Sequence, residues 1–248
     1  MSLKKYEVLK IKDKTDSYYH QIPQLFDLPC KVVINGPSHR SGKTTAVINI
    51  LSNPKFKYDQ IFKGKNIFII SNNKLDMKIK LFAEVKKIPS GNIFRYNEDK
   101  LEVLYEMLED QFKEAIENKE KPDHVCLYFD DVAFSGALKL QNGTGIISKI
   151  VMNGRHAMIS SFFLTQKWSL ISTAVRSNLT GALIFGTTQK EAELIADDLN
   201  MLPKRQTWIQ MYRKATAKKN TFLVVNFTND IEQMYMDSTF IPLQYEYD

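Results

Sequence analysis

The stretch Gly36-Pro37-Ser38-His39-Arg40-Ser41-Gly42-Lys43-Thr44-Thr45 restricts this chain more than any other. It follows the apolar run Val32-Val33-Ile34 and opens a segment that reads as a helix to about Leu51. A strand, a tight polar loop and Gly-Lys-Thr at a helix start form a cradle for nucleotide phosphates, because loop and helix N–H groups face the phosphate oxygens. In such a cradle Lys43 reaches the β- and γ-phosphates and the Thr44 hydroxyl holds Mg²⁺. The usual pattern has a glycine five residues before that of Gly-Lys-Thr. Here Pro37 holds that place and Gly36 lies one residue earlier. His39, Arg40 and Ser41 stand where small residues are common. Without its context, the stretch would read as a surface turn that happens to contain Gly-Lys-Thr.

The context is acidic. Val125-Cys126-Leu127-Tyr128-Phe129 is an apolar run ending in Asp130-Asp131. A strand delivers its last residue to the sheet edge where ligands bind. Asp130 is the candidate for the Mg²⁺ shell, and Asp131, aimed elsewhere, for activating the attacking water. Gln166 follows the run Ile159 to Thr165, expected beside the strand of Asp130; its amide would orient water or sense the γ-phosphate. Arg155 and Arg176 are the candidates for stabilising charge on the transferred phosphoryl group. Arg40 offers another cation in the loop itself.

Hydrophobic periodicity orders these motifs along one α/β domain. Apolar runs at 31–35, 66–70, 92–96, 125–130, 158–165, 181–185 and 221–226 read as strands. Helices are expected at 42–51, 74–87, 99–119, 142–152, 169–177 and 188–200. Between 200 and 220 the chain reads only as Pro203 and an aromatic stretch. Strands alternating with helices argue for a mainly parallel sheet with helices on both faces. Residues 1–28 read as a short extension leaning on that core. At 248 residues the chain suits one such domain, and no linker suggests a second.

No apolar run is long enough to span a bilayer, and Met1 to Lys5 lacks the apolar segment of a secretory signal. Cys30 and Cys126 read as buried thiols rather than a disulfide or metal pair. The net charge of +6 suits a partner carrying phosphates. Its densest patch, Arg213 to Lys219, reads equally as a nucleic-acid contact or a solvated turn.

Taken together, the motifs resemble the viral genome-packaging ATPases of the poxvirus type, within the FtsK–HerA superfamily, found in large DNA viruses and their satellite viruses. The resemblance rests on Gly36 to Thr45, Asp130-Asp131, Gly154-Arg155-His156, Gln166 and Arg176-Ser177-Asn178, and runs from about residue 30 to 226. It implies a P-loop NTPase of RecA-like fold that uses ATP and Mg²⁺ to move double-stranded DNA into a capsid. It implies a homo-oligomeric ring, pentamer or hexamer, with a capsid vertex or portal-like protein as partner. The expected location is the infected cell's cytoplasm and the virion. By the same likeness Arg176 becomes the finger into a neighbouring subunit. Two other readings compete: a nucleoside or small-molecule kinase, and a scaffold that binds nucleotide without turnover.

Overall fold

The computed structural model describes residues 17–38, 41–72, 77–132 and 145–245. His39 and Arg40 of the loop, and the first residues of the helices expected at 74 and 142, lie outside these.

A single eight-stranded sheet organises the described residues. Its strands are β1 (Lys31–Asn35), β2 (Ile67–Ser71), β3 (Ile93–Phe94), β4 (Val125–Asp130), β5 (Ile159–Thr165), β6 (Gly181–Phe185), β7 (Phe222–Asn226) and β8 (Tyr235–Met236). Their spatial order is β3-β2-β4-β5-β1-β6-β7-β8. The first six run parallel; β7 is antiparallel to β6, and β8 to β7. Strands β1, β2, β5, β6 and β7 are buried throughout, as strands covered on both faces must be.

Helices α1 (Lys43–Ser52), α2 (Tyr58–Ile61) and α3 (Met77–Lys86) cover one face. Val47, Ile50, Leu51, Tyr58, Ile79 and Phe82 share a core there with Val32, Ile34, Ile67 and Ile69. Helices α4 (Glu98–Glu117), α5 (Ile146–Asn153), α6 (Thr173–Arg176), α7 (Gln189–Leu199) and α8 (Arg205–Ala215) cover the other. A short α9 (Ile231–Met234) leads into β8. Residues 17–28 lie on the α1 face: Ile22, Leu25, Phe26 and Leu28 are buried there, and the Tyr58 hydroxyl donates to the Phe26 carbonyl at 2.6 Å.

Three expectations change. The helix expected at 169–177 divides into a 3₁₀ turn at Trp168–Leu170 and the short α6. Ser172 enforces the break: it is extended, and its side chain caps α6 by accepting from the Val175 N–H. The strand expected at 92–96 shrinks to two residues at the sheet edge. The aromatic stretch after Pro203 is the amphipathic helix α8, with Trp208, Ile209, Met211, Tyr212 and Ala215 buried at helical spacing.

Candidate nucleotide site

The C-terminal ends of β1, β4 and β5 lie side by side, so the residues that follow them converge on one edge. Register puts Asn35 beside Thr165, and Asp130 beside Leu164. Phe129 and Phe163 stack between β4 and β5 at 4.7 Å between ring centres, which holds that register. Such a pair adds about 0.5–1.5 kcal/mol beyond its buried area.

The loop after β1 leaves the sheet through Gly36. A Cβ at this position would lie 2.6 Å from the Cβ of Phe185 on β6, so only glycine fits. That close approach accounts for a glycine one place earlier than the usual pattern. Gly42 enters α1 with φ of 94°, a left-handed conformation costly for other residues. Among the described residues, the loop thus keeps both of its glycines where backbone geometry needs them.

Lys43 follows at the start of α1 and is buried. Its ammonium donates to the Gly36 carbonyl at 2.8 Å, the Pro37 carbonyl at 2.7 Å and the Ser41 hydroxyl at 3.4 Å. Burial lowers its pKa, and the charges of Asp131 and Asp130 oppose that shift. The ammonium is therefore stored against the loop carbonyls, within the field of the acids across the edge. Thr44, the next residue, is half-buried.

The two acids take different directions. Asp130 ends β4 and accepts from the Ser71 hydroxyl of β2 at 3.2 Å. Asp131 turns out of the strand with φ of 53°, in the left-handed region. An aspartate tolerates this conformation better than most residues, and such positions gather at functional sites. Gln166 donates to Asp131 Oδ2 at 3.0 Å, and Asn72 donates to the Asp131 carbonyl at 3.3 Å. Asp131 Oδ1 is buried without a partner, and so are both polar atoms of the Asn35 side chain. The structure thus brings Lys43, Thr44, Asp130, Asp131 and Gln166 to one edge, with acceptor capacity to spare. Ser71, Asn72 and Asn35 join them without any motif to announce them.

The donor set suits a hard divalent cation: a hydroxyl and a carboxylate oxygen from Thr44 and Asp130 are the kind of ligand Mg²⁺ takes alongside water and phosphate. No cluster of three or more His, Cys, Asp or Glu is present among the described residues, so no all-protein metal cage competes with that reading.

A cleft of about 720 Å³ opens beside this edge. Gly42, Thr45, Ala46, Asn49, Phe185, Lys219, Asn220, Phe222 and Phe240 line parts of it. Lys78 of α3 also borders it and donates to the Thr45 hydroxyl at 2.9 Å. Periodicity could not find this cleft, since its walls come from α1, β6, the turn before β7 and the chain after β8. Of the basic patch, Lys219 borders this cleft, whereas Lys214 lies in the last turn of α8.

The two arginines are placed differently. Arg155 is exposed in the 3₁₀ turn before β5, and its charge helps burial lower the pKa of Lys31 at the start of β1. Seven residues of β5 separate that turn from Gln166, roughly 20 Å at about 3.3 Å per residue. Arg176 ends α6 and is ion-paired with Asp198 of α7, which also accepts from the Trp168 indole at 2.6 Å. Arg155 thus stands away from the phosphate edge of its own chain, whereas the guanidinium of Arg176 is held beside Trp168, two residues past Gln166, by the shared Asp198 carboxylate.

The model of the poxvirus A32 protein family matches residues 19–238, nearly the whole chain and every motif above. The chain belongs to this family of viral packaging ATPases. Among solved structures it is similar to the genome packaging NTPase B204 from Sulfolobus turreted icosahedral virus 2 in complex with AMP. The two share 17% identity over 80% of this chain and 93% of that one, with a TM-score of 0.52. B204 of Sulfolobus turreted icosahedral virus, described as a DNA-packaging ATPase, shares 18% identity over 81% and 94%, with a TM-score of 0.53. The cytoplasmic domain of EssC shares 14% over 71% and 37%, with a TM-score of 0.52. These likenesses support the fold. No curated protein matches the chain. Among the described residues no helix is long and apolar enough to cross a membrane.

Proposed function

We propose that this A32-family chain hydrolyses Mg·ATP to drive double-stranded DNA into a viral capsid, as one subunit of a homo-oligomeric ring. The observation that carries the chemistry is the Asp131–Gln166 hydrogen bond at the edge where Lys43 is stored. Lys43 leaves the Gly36 and Pro37 carbonyls for phosphate oxygens, exchanging neutral acceptors for charged ones. Thr44 and Asp130 would hold Mg²⁺, which when bound would supply positive charge to the phosphates. Asp131 accepts the proton of the attacking water through its unpartnered oxygen, and Gln166 fixes the carboxylate and that water. The cleft beside Gly42 takes the base and ribose, with Phe185, Phe222 and Phe240 as apolar walls.

The arginine that completes the site comes from a neighbouring subunit: Arg176, with Arg155 as its competitor. The ring meets a capsid vertex or portal-like protein in the infected cell's cytoplasm and enters the virion with it. Steady-state ATP hydrolysis with and without duplex DNA tests the reading. Stimulation by DNA of unrelated sequences supports it. Transfer of phosphate to a nucleoside or small acceptor would replace it with a kinase, and binding without turnover with a scaffold.

A further inference from the structure

Two helices on opposite faces of the sheet present apolar stripes to solvent. On α3, Met77, Leu81 and Val85 recur every fourth residue and are 65%, 55% and 74% exposed. They stand on the side of the helix away from buried Ile79, Phe82 and Ala83. Exposed Lys78, Lys80 and Lys87 flank the stripe, against Glu84 as the acid among them. On α4, Val103 and Met107 are 65% and 42% exposed, opposite buried Leu101, Leu104 and Leu108. Around them stand exposed Asp99, Glu102, Glu106, Asp110 and Glu114, against Lys100 and Lys113 as the bases among them, Lys113 paired with Asp110 at 3.0 Å. Each stripe repeats at four residues, about 6 Å along its axis, and rows at that spacing interdigitate when helices pack.

We infer that α3 of one copy docks on α4 of the next, apolar stripe on apolar stripe and basic rim on acidic rim. Charge complementarity selects a second copy of this chain as the occupant. Each face repels its own kind, which disfavours a two-fold pairing of α3 with α3 or α4 with α4. The contact is therefore heterologous, and a heterologous contact that closes makes a ring. The layers give this arrangement a consequence. Helix α1, with the phosphate loop, shares the α3 face, whereas α5 and α6, beside Arg155 and Arg176, share the α4 face. Stacking one face on the other turns a neighbour's arginines toward the side that carries the phosphate loop. The contact itself stands on the two surfaces; only its use for catalysis rests on the proposed function.

Sedimentation velocity over a concentration series, with protein alone and with Mg²⁺ and a non-hydrolysable ATP analogue, tests the contact. Wild type associates as concentration rises. Leu81→Glu moves association to at least about tenfold higher concentration, the cost of one desolvated charge in an apolar seam. Lys80→Glu with Lys87→Glu weakens association, as does Glu102→Lys with Glu106→Lys, and the chain carrying all four changes recovers it. Analogue binding by each variant, read by calorimetry, reports folding independently of assembly. A wild type that stays monomeric overturns the contact, as does association indifferent to Leu81→Glu, or a four-fold variant no better than either pair. Loss of duplex-DNA binding in Leu81→Glu with association unchanged would instead assign α3 to DNA. Failure of wild type to bind the analogue while association follows the charge cycle would remove the nucleotide reading and leave the contact standing.

Discussion

The two ends of the parallel strands use polar side chains in opposite ways. At the N-terminal end charge is consumed by the fold. Lys63 and Lys65 pair with Asp123 at 2.8 and 3.1 Å. His124 holds the Tyr18 carbonyl at 3.0 Å. At the C-terminal end charge is stored. Lys43 rests on carbonyls that gain little from it, while Asp131 and Asn35 keep buried atoms without partners. An unpaired buried polar atom costs about 1–3 kcal/mol, and a fold carries that cost where a ligand later repays it. Unpartnered buried atoms occur elsewhere too, on His124 and Arg176 among others, so the contrast rests on the stored ammonium of Lys43 beside the Asp131 carboxylate.

The largest test of that contrast concerns Arg176, whose charge is paired within its own chain yet is proposed to serve a neighbour's site. Arg176→Ala is expected to bind ATP and lose turnover by roughly 10³–10⁵-fold. The Asp198 pair predicts a second effect, a stability loss of about 1–3 kcal/mol in denaturant titration. Stability loss with turnover intact would confine Arg176 to its ion pair with Asp198 and transfer the role to exposed Arg155. Asp131→Asn comes next: hydrolysis falls by about 10²–10⁴-fold while Mg·ATP binding by calorimetry persists. Asp130→Ala, by contrast, weakens the binding itself. Equal turnover in Asp131→Asn and wild type would place the base elsewhere.

A smaller effect probes the structural end by pH. Burial first, then the charges of His20 and Lys121, hold His124 down at a pKa of about 4, against the opposing Tyr18 carbonyl. Between that value and the ordinary 6.5 the unfolded chain takes up a proton that the native chain refuses. Stability from this group is therefore complete above pH 6.5 and lost as pH falls toward 4, by on the order of 2–3 kcal/mol. Chemical denaturation of wild type and His124→Gln across that window checks the sign: the slope should flatten in the variant. The smallest effect concerns the basic patch. Lys219→Ala is expected to weaken ATP binding a few-fold because Lys219 lines the cleft, whereas Lys214→Ala leaves it unchanged. Calorimetric titration of ATP into both variants separates them, and equal affinities would remove that distinction.

Much of the fold was legible because buried parallel strands announce themselves. Lys31–Asn35 and Gly181–Phe185 lie where uninterrupted apolar runs place them. Helix α8 was not, since Gln206, Gln210 and Arg213 dilute a stripe whose anchors are Trp208 and Tyr212 rather than aliphatic residues. The core of the site was legible for a related reason: a loop, a strand end and a second strand end are local features, and parallel topology brings them together. Ser71, Asn72 and Asn220 were not, because an ordinary polar residue acquires meaning only from a partner tens or hundreds of positions away. The Asp130–Ser71 bond spans 59 residues, and the cleft joins α1 to Phe240. Nor did sequence show that Arg155 stands a strand's length from Gln166, or that Arg176 is ion-paired with Asp198.

The C-terminal edge stores charge for a nucleotide, and the Lys43→Ala substitution removes that charge at its source. Titration of Mg·ATP with calorimetric readout, paired with steady-state hydrolysis, compares it with wild type. Hydrolysis is expected to fall by at least about 10²–10³-fold and binding to weaken markedly, in a protein as stable as wild type or more so. Hydrolysis and affinity unchanged in a folded Lys43→Ala protein would contradict this.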